Sequence, residues 1–210
     1  MFAQRNFSKA LEYGLQSIEI DPAFAPAYNH LGIIYMETKR FLKSEEAFKL
    51  ALKLQPDYPE VLNNLGVLMN RQDRFNDAIG YLDGALKSSS YVTPENAYTN
   101  LGYAYFRLGN IPRAKAYHQR ALDIVPDFCL AHKNLGDVFA KEKKFPKAVD
   151  YYSKALSICP LYDESHYKLG LALMKTGKKN LAKVELEKLV QRHKTGPYVD
   201  RSQEVLKFLH

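Results

Sequence analysis

Apolar residues recur three and four positions apart along nearly the whole chain, in short segments that are separated by polar turns. Leu31 and Tyr35 have this spacing in one segment, and Phe48 and Leu52 have it in the next. The same pattern returns later at Leu135, Phe139, Tyr152 and Leu156. Apolar residues at this spacing form a stripe along one side of an α-helix. The pattern therefore predicts pairs of amphipathic helices that pack their stripes together.

A short segment that contains Leu-Gly recurs five times and sets the length of a repeating unit. Its glycines are Gly32, Gly66, Gly102, Gly136 and Gly170, and successive steps are 34, 36, 34 and 34 residues. Serine or alanine stands 12 positions after each glycine. A closing proline ends four of the units, at Pro22, Pro56, Pro126 and Pro160. Because small residues let two helix backbones approach closely, these positions predict where the helices of each pair cross.

The chain resembles the tetratricopeptide-repeat (TPR) family over almost its whole length. The resemblance rests on the period, the Leu-Gly pair, the small residue and the closing proline. The resemblance implies an all-α fold, a right-handed α-solenoid of helix-turn-helix repeats. We expect one domain over residues 1–210, with five full repeats between an N-terminal half repeat and a C-terminal capping helix. The half repeat covers 1–24, the repeats cover 25–58, 59–94, 95–128, 129–162 and 163–194, and the capping helix covers 198–209.

The N-terminal segment lacks most of a first helix. Counted back by one repeat, Ala10 takes the small position of a second helix, so residues 6–20 are expected to form the second half of a repeat. Residues 1–5 would supply only the last turn of the first helix, as in a chain taken from a longer protein. An apolar surface would then be exposed at Phe2, Phe7, Leu11 and Leu15, which favours self-association.

The second repeat is two residues longer than the others, and the extra length falls in the serine-rich loop at 87–94. A longer joint is expected to bend or loosen the packing between repeats two and three.

The composition, with 46% apolar and 25% charged residues, is ordinary for a globular protein, but the net charge of +7 is unevenly placed. Residues 1–105 carry 10 Lys and Arg against 12 Asp and Glu, whereas residues 106–210 carry 20 against 11. The net charges of these two segments are therefore −2 and +9. Two interpretations fit the basic half: an acidic or membrane-proximal partner, or a solvated surface without a partner. No apolar run is long enough to predict a transmembrane helix.

No pattern typical of catalysis or metal binding occurs in the sequence. It lacks a Gly-rich phosphate loop and the HExxH and GxSxG motifs. His132 and His166 fall at the same place in adjacent repeats, on the order of 10 Å apart, which is too far to share a metal. Cys129 and Cys159 have no metal-ligand spacing, and we interpret them as small buried apolar residues that leave the redox compartment undecided. We therefore predict no enzyme activity, no cofactor, no metal site and no nucleic-acid partner.

The first helices of the repeats offer a groove for a protein or peptide partner. Asparagine recurs two positions before the repeat glycine, at Asn64, Asn100 and Asn134, and Asn63 adjoins the first of them. A carboxamide both donates and accepts, so these residues could hold the backbone of an extended peptide. Alternatively, they satisfy a neighbouring helix end. Apolar residues of these helices would supply pockets or join the core, namely Ile33, Val67, Tyr103, Phe106, Tyr167, Leu171 and Met174.

Four cations stand five positions after the repeat glycine: Arg71, Arg107, Lys141 and Lys175. Such a stripe would bind acidic groups of a partner, although the helix dipole also favours cations near a helix C-terminus. Lys133 and Asn134 resemble part of the carboxylate clamp of the chaperone-binding TPR co-chaperones. Asp137, however, stands where that clamp has an amide, which disfavours a chaperone partner.

Within the TPR family, Leu62-Asn63-Asn64-Leu65-Gly66 and the two-residue insertion before Pro94 resemble the PilF/PilW/Tgl group. Members of that group are outer-membrane lipoproteins that act as pilotins in the assembly of the type IV pilus secretin. The resemblance implies a secretin partner, a periplasmic location and a membrane anchor outside this chain. Two alternatives stay open: a cytosolic TPR adaptor or co-chaperone, and the TPR arm of a larger enzyme such as an O-linked N-acetylglucosamine transferase.

Overall fold

The structure, a computed structural model, describes residues 2–209, with side chains from residue 7 onward. Over these residues the chain forms twelve α-helices and no strand, which confirms the predicted all-α fold. The helices are α1 (Phe2–Ile20), α2 (Ala25–Glu37), α3 (Phe41–Leu54), α4 (Pro59–Arg71), α5 (Phe75–Lys87), α6 (Pro94–Arg107), α7 (Ile111–Ile124), α8 (Cys129–Lys141), α9 (Phe145–Ile158), α10 (Asp163–Lys175), α11 (Lys179–Arg192) and α12 (Pro197–Leu206).

The helices are grouped in two units, residues 1–108 with α1 to α6 and residues 109–210 with α7 to α12. In the first unit, α2 packs on α3 and α4 packs on α5, and α4 also contacts α2 and α6. In the second unit, α8 packs on α9, and α10 lies against α9, α11 and α12. Short turns between consecutive helices make each pair an αα-hairpin.

In four helix pairs, each of which lies within one unit, a bulky side chain of the second helix packs onto the repeat glycine of the first helix. A Cβ atom added at Gly32 would lie within 3.0 Å of the Phe48 ring, and one at Gly66 would lie equally close to Leu82. The other two pairs are Gly136 with Tyr152 and Gly170 with Leu186. Each partner stands 16 residues after its glycine. The glycines therefore mark the helix crossings, as the sequence predicts.

The turn inside each repeat places one residue in the left-handed backbone region. Glycine takes this position at Gly109 and Gly177, with φ of 78° at both. Lys39, Asp73 and Lys143 take it in the other repeats, with φ of 59°, 59° and 60°. Side chains other than glycine are disfavoured in this conformation, by about 1–2 kcal/mol. The backbone is therefore strained at Lys39, Asp73 and Lys143, whereas the turns with Gly109 and Gly177 are unstrained.

Replacement of Lys143 by glycine is expected to stabilise the protein by about 0.5–1 kcal/mol, because relief of the left-handed strain exceeds the added entropy of the unfolded chain. The reverse change, Gly177→Lys, should destabilise the protein by a similar amount. Thermal denaturation of both variants measures the effect. A lower melting temperature for Lys143→Gly would contradict this account of the turn.

Helix α1 is a single helix from Phe2 to Ile20, so residues 2–5 continue it and do not form the end of another helix, contrary to the sequence-based expectation. Met1 and the side chain of Phe2 lie outside the described residues. Phe7 and Leu11 are half-buried beside Ile34, whereas Leu15 is 40% exposed. Self-association through this end of the chain stays a prediction.

The loop between α5 and α6 is anchored by a buried aromatic ring. Tyr91 is 9% exposed, and burial raises the pKa of its phenol to about 12. Ser88 and Ser90 bond to each other through their hydroxyl groups, 2.8 Å apart. Beyond this loop, α6 packs against both α4 and α5.

Candidate partner-binding surface

We define the first-helix face as the surface of α2, α4 and α6 in the first unit and the surface of α8 and α10 in the second. In the first unit this face carries two hydrogen bonds between asparagines of adjacent repeats. Asn64 Nδ2 donates to Asn29 Oδ1 at 2.9 Å, and Asn100 Nδ2 donates to Asn63 Oδ1 at 3.0 Å. The amides thus join one repeat to the next. These bonds use the NH2 group of Asn64 and Asn100 but not the carbonyl oxygen of either side chain.

Another asparagine bonds the backbone of a neighbouring helix, in the middle of α6 and not at a helix end. Asn70 Nδ2 donates to the main-chain oxygen of Asn100 at 3.1 Å, and Asn70 is only 6% exposed. In the second unit, Asn134 is buried on α8, also at 6% exposure. Of the predicted asparagines, the structure therefore brings Asn63, Asn64 and Asn100 together on one face.

The two arginines of the predicted basic stripe are neutralised by acids of the preceding repeat. Arg71 Nη2 lies 2.7 Å from Glu37 Oε1, and Arg107 Nη2 lies 2.8 Å from Asp73 Oδ1. Arg107 Nη1 also donates to the hydroxyl of Tyr103 at 2.6 Å. All four charged groups are at least 39% exposed, so each ion pair adds little stability.

The two lysines of the same stripe differ from the arginines. Both Lys141 and Lys175 are exposed. Within the part of the chain that the structure describes, neither forms a salt bridge. Their charges are therefore available to a partner.

A half-buried network of charges occupies the first-helix face of the second unit. Lys168 Nζ lies 2.7 Å from both Asp137 Oδ2 and Glu164 Oε1. Lys133, which is 6% exposed, lies 3.5 Å from Asp137 and 3.4 Å from Glu164. Burial opposes ionisation of Glu164, but the charges of Lys133 and Lys168 outweigh it and hold the pKa of Glu164 below its usual value. Two cations and two carboxylates thus balance within the fold.

Tyr152 completes the network, since its hydroxyl donates to Asp137 Oδ1 at 2.7 Å. Burial, and then the charge of Asp137, raise the pKa of this phenol, so it stays protonated. Asp137 therefore accepts hydrogen bonds from side chains that a carboxylate clamp would leave free to bind its ligand. Sequence reasoning missed Lys168 and Glu164 here, although their spacing of four residues on one helix is a recognisable ion-pair signal.

A cavity of about 260 Å³ lies beside this network, where the ends of α8 and α10 meet the start of α9. Its lining is mainly apolar, with charged groups from Asp137, Lys168 and Lys175. The apolar and aromatic lining residues are Ala140, Phe145, Tyr152, Leu171 and Ala172. The cavity can accept an apolar side chain next to a carboxylate.

The remaining aromatic residues of the predicted groove differ in their surroundings. Tyr103 and Phe106 are half-buried on α6. Tyr167 packs against Tyr198 of α12, with ring centroids 5.8 Å apart. The C-terminal helix thus covers part of the face that Tyr167 would offer to a partner. A cavity of about 320 Å³ between α1 and α2 includes Ile33 among its lining residues.

Cys129 and Cys159 form a disulfide, with Cα atoms 6.1 Å apart. Their interpretation as simple buried apolar residues is therefore wrong. Both are half-buried, at the start of α8 and the end of α9. An antiparallel helix pair brings those two ends together, and the separation of 30 residues was the signal that sequence reasoning missed.

Metal binding and membrane insertion each require a particular arrangement of residues. Among the described side chains, no three His, Cys, Asp or Glu residues converge as metal ligands would. Within residues 2–209, no helix combines the length and the apolar character that a membrane span needs.

Models of tetratricopeptide repeats match four segments of the chain: 25–58, 57–127, 136–177 and 164–195. Together these segments cover most of the sequence. The chain belongs to the TPR family. Its α-solenoid fold, which the sequence predicts, is confirmed by solved TPR structures, and it is a TPR-repeat scaffold with relatives in type IV pilus biogenesis.

Two of these relatives are type IV pilus proteins. The structure of PilW, described as a widely conserved type IV pilus biogenesis factor, is 26% identical. It superposes with a TM-score of 0.83 over 98% of this chain and 93% of its own. The type IV pilus assembly protein PilF of Pseudomonas aeruginosa is 26% identical over 107 residues, 51% of this chain and 42% of PilF.

A third relative is the probable glycosyltransferase SPINDLY of Hordeum vulgare. It is 28% identical over 120 residues, which are 54% of this chain and 12% of SPINDLY. The TPR protein described here thus spans less than half the length of the curated relatives that it matches.

Proposed function

We propose that this TPR protein is a non-catalytic scaffold that holds a segment of a protein partner on its first-helix face. We further propose that the partner belongs to the type IV pilus apparatus, in the manner of a pilotin that assists a secretin subunit. The observation that carries this proposal is the similarity to PilW, because it extends over nearly the full length of both chains at 26% identity.

On the first unit, the carbonyl oxygens of Asn64 and Asn100 accept hydrogen bonds from the backbone N–H groups of the partner. The NH2 groups of the same side chains keep their inter-repeat bonds. Peptide binding therefore needs no rearrangement of the asparagines. Each such bond would add about 0.5–1.5 kcal/mol to binding.

On the second unit, Lys141 and Lys175 attract acidic groups of the partner. Lys175 stands at the cavity that Phe145 and Leu171 line, so an apolar side chain followed by a carboxylate fits this place. Arg71 and Arg107 contribute less, because Glu37 and Asp73 already neutralise them.

The disulfide supports a location outside the cytosol. Disulfides persist in oxidising compartments such as the bacterial periplasm and are rare in the cytosol. The bond between Cys129 and Cys159 agrees with a periplasmic scaffold and disfavours the cytosolic adaptor.

The proposal is tested in cells that lack the native gene, by the yield of secretin multimers. Lys141→Glu with Lys175→Glu should lower the yield at least several-fold, since these substitutions reverse two rim charges that speed association. Lys53→Glu with Lys87→Glu is the matched control, because these lysines are also exposed but lie in the first unit. The control should behave as wild type.

A second set of variants tests the asparagines. Asn64→Ala, Asn100→Ala and Asn134→Ala together should fold, with a modest loss of stability, yet fail to support multimers. Asn76→Ala with Asn180→Ala is the control, as both residues are exposed at the starts of α5 and α11. Wild-type yields with both the lysine pair and the asparagine triple would contradict binding on the first-helix face.

The similarity to SPINDLY favours a second candidate, the TPR arm of a larger glycosyltransferase. The full-length gene distinguishes the two candidates. A downstream transferase domain would support the second, and a lipoprotein signal would support the pilotin.

A further inference from the structure

Lysine is concentrated in the turns inside repeats four and five. We define the lysine edge as seven exposed lysines: Lys141, Lys143, Lys144, Lys147, Lys175, Lys178 and Lys179. Glu142 is the one acid within residues 141–147, and there is none within 175–179. Glu142 already binds Lys115 and Lys144, each with an N–O distance of 3.1 Å. The lysine edge therefore carries a large excess of positive charge.

The two turns lie side by side within the second unit. Phe145 follows the turn of repeat four, Lys175 precedes the turn of repeat five, and both line the same cavity. The lysines of both turns therefore lie at the same end of α8 to α11.

The helix dipole favours Lys141 and Lys175, which lie in the last turns of α8 and α10, but it does not account for the lysines at the starts of α9 and α11. Lys144 and Lys178 stand at the N-caps of α9 and α11, and neither helix has an acidic residue in its first turn. Because a helix N-terminus is the positive end of the helix dipole, cations are disfavoured there. Repulsion among like charges adds to this cost.

The first unit shows both solutions, since the turn of repeat one also carries several cations, Lys39, Arg40 and Lys43. The turn of repeat two is instead neutralised by ion pairs: Arg71 pairs with Glu37, and Arg74 pairs with Asp77 and Glu45. The fold therefore tolerates neutral turns, and the excess charge of the second unit calls for a role outside the fold.

The other end of the second unit, at the starts of α8 and α10 and the ends of α9 and α11, lacks this excess of positive charge. Asp127 pairs with Lys154 there, and Asp163 pairs with Arg192. The second unit thus has one basic end and one nearly neutral end, so an anionic surface would attract it in a defined orientation.

The residue type indicates the kind of anion. All seven cations are lysines, which act as mobile point charges, whereas arginine is favoured for bidentate recognition of a single carboxylate or phosphate. We propose that the lysine edge docks the protein on a bilayer of anionic lipid, with the lysines among the headgroups. Clusters of four to eight cations are typical of such contacts. Lys141 and Lys175 also belong to the first-helix face, whereas the other five lysines of the edge do not. The lipid contact is therefore tested on residues outside that face.

The test is co-sedimentation of the full chain with vesicles of phosphatidylcholine, with and without phosphatidylglycerol. Wild type should bind only the anionic vesicles, and added salt should release it, because exposed charges are screened beyond about 8 Å at 0.15 M. Substitution of Lys143, Lys144, Lys178 and Lys179 by Gln should weaken binding roughly tenfold or more. Substitution of the same four by Arg should preserve it.

The matched control substitutes four exposed lysines of the first unit by Gln: Lys9, Lys39, Lys53 and Lys87. It has the same net charge as the lysine-edge variant and should bind anionic vesicles nearly as wild type does. Equal loss in both variants would assign binding to net charge and overturn the proposal. Failure of wild type to bind anionic vesicles at low salt would also overturn it, and binding to polyglutamate in that case would assign the lysine edge to an acidic protein.

Discussion

Reduction of the disulfide between Cys129 and Cys159 is expected to lower the free energy of unfolding by about 3–4 kcal/mol. The bond spans 30 residues, and a loop of this length removes chain entropy from the unfolded state that corresponds to about 3.5 kcal/mol. It ties the start of α8 to the end of α9, so reduction loosens the fourth repeat first. Urea denaturation with and without reductant, followed by circular dichroism, measures the effect.

The variant with Cys129→Ser and Cys159→Ser serves as the control for this prediction. Its denaturation midpoint should match that of the reduced wild type and should not respond to reductant. A wild-type midpoint that is the same with and without reductant would show that the bond does not constrain the unfolded chain.

Gly136→Leu is expected to destabilise the protein by about 3 kcal/mol or more, because overpacking at a helix crossing forces backbone shifts. Even a Cβ atom at this position would lie within 3.0 Å of the Tyr152 ring. That ring is 2% exposed, and its hydroxyl bonds Asp137, so it has little freedom to move away. The substitution should therefore also disturb the half-buried charge network with Lys168. Thermal melting measures the loss of stability.

Gly80→Ala is the matched control, since no atom lies within 4 Å of a Cβ added at Gly80 in the interior of α5. This variant should gain about 0.5–1 kcal/mol, which is the ordinary advantage of alanine over glycine in a helix. If Gly136→Leu melted at the wild-type temperature, the assignment of Gly136 to a helix crossing would be wrong.

The fold class and the positions of the repeating residues follow from the residue pattern along the chain. The step of 34 residues between most of the repeat glycines requires two helices and two turns in each unit. It places Gly66 and Gly136 at helix crossings, where Leu82 and Tyr152 now pack. Local spacing was sufficient because a helix fixes which side chains share a face. For the same reason, Asn64 and Asn100 were correctly assigned to first helices.

Which groups bond to one another depends on how the helices stack in three dimensions. Asn64 meets Asn29, Arg71 meets Glu37, and Asp137 collects Lys168 and Tyr152. Most of these partners belong to neighbouring repeats, and their contact depends on the offset and rotation between stacked helices. Hydrogen bonds require the two atoms to lie within about 3.2 Å, so a small change in that stacking would select other partners. A periodic sequence repeats its residue positions, but it does not specify this offset, and the ion-pair and hydrogen-bond partners across repeats were hidden for that reason.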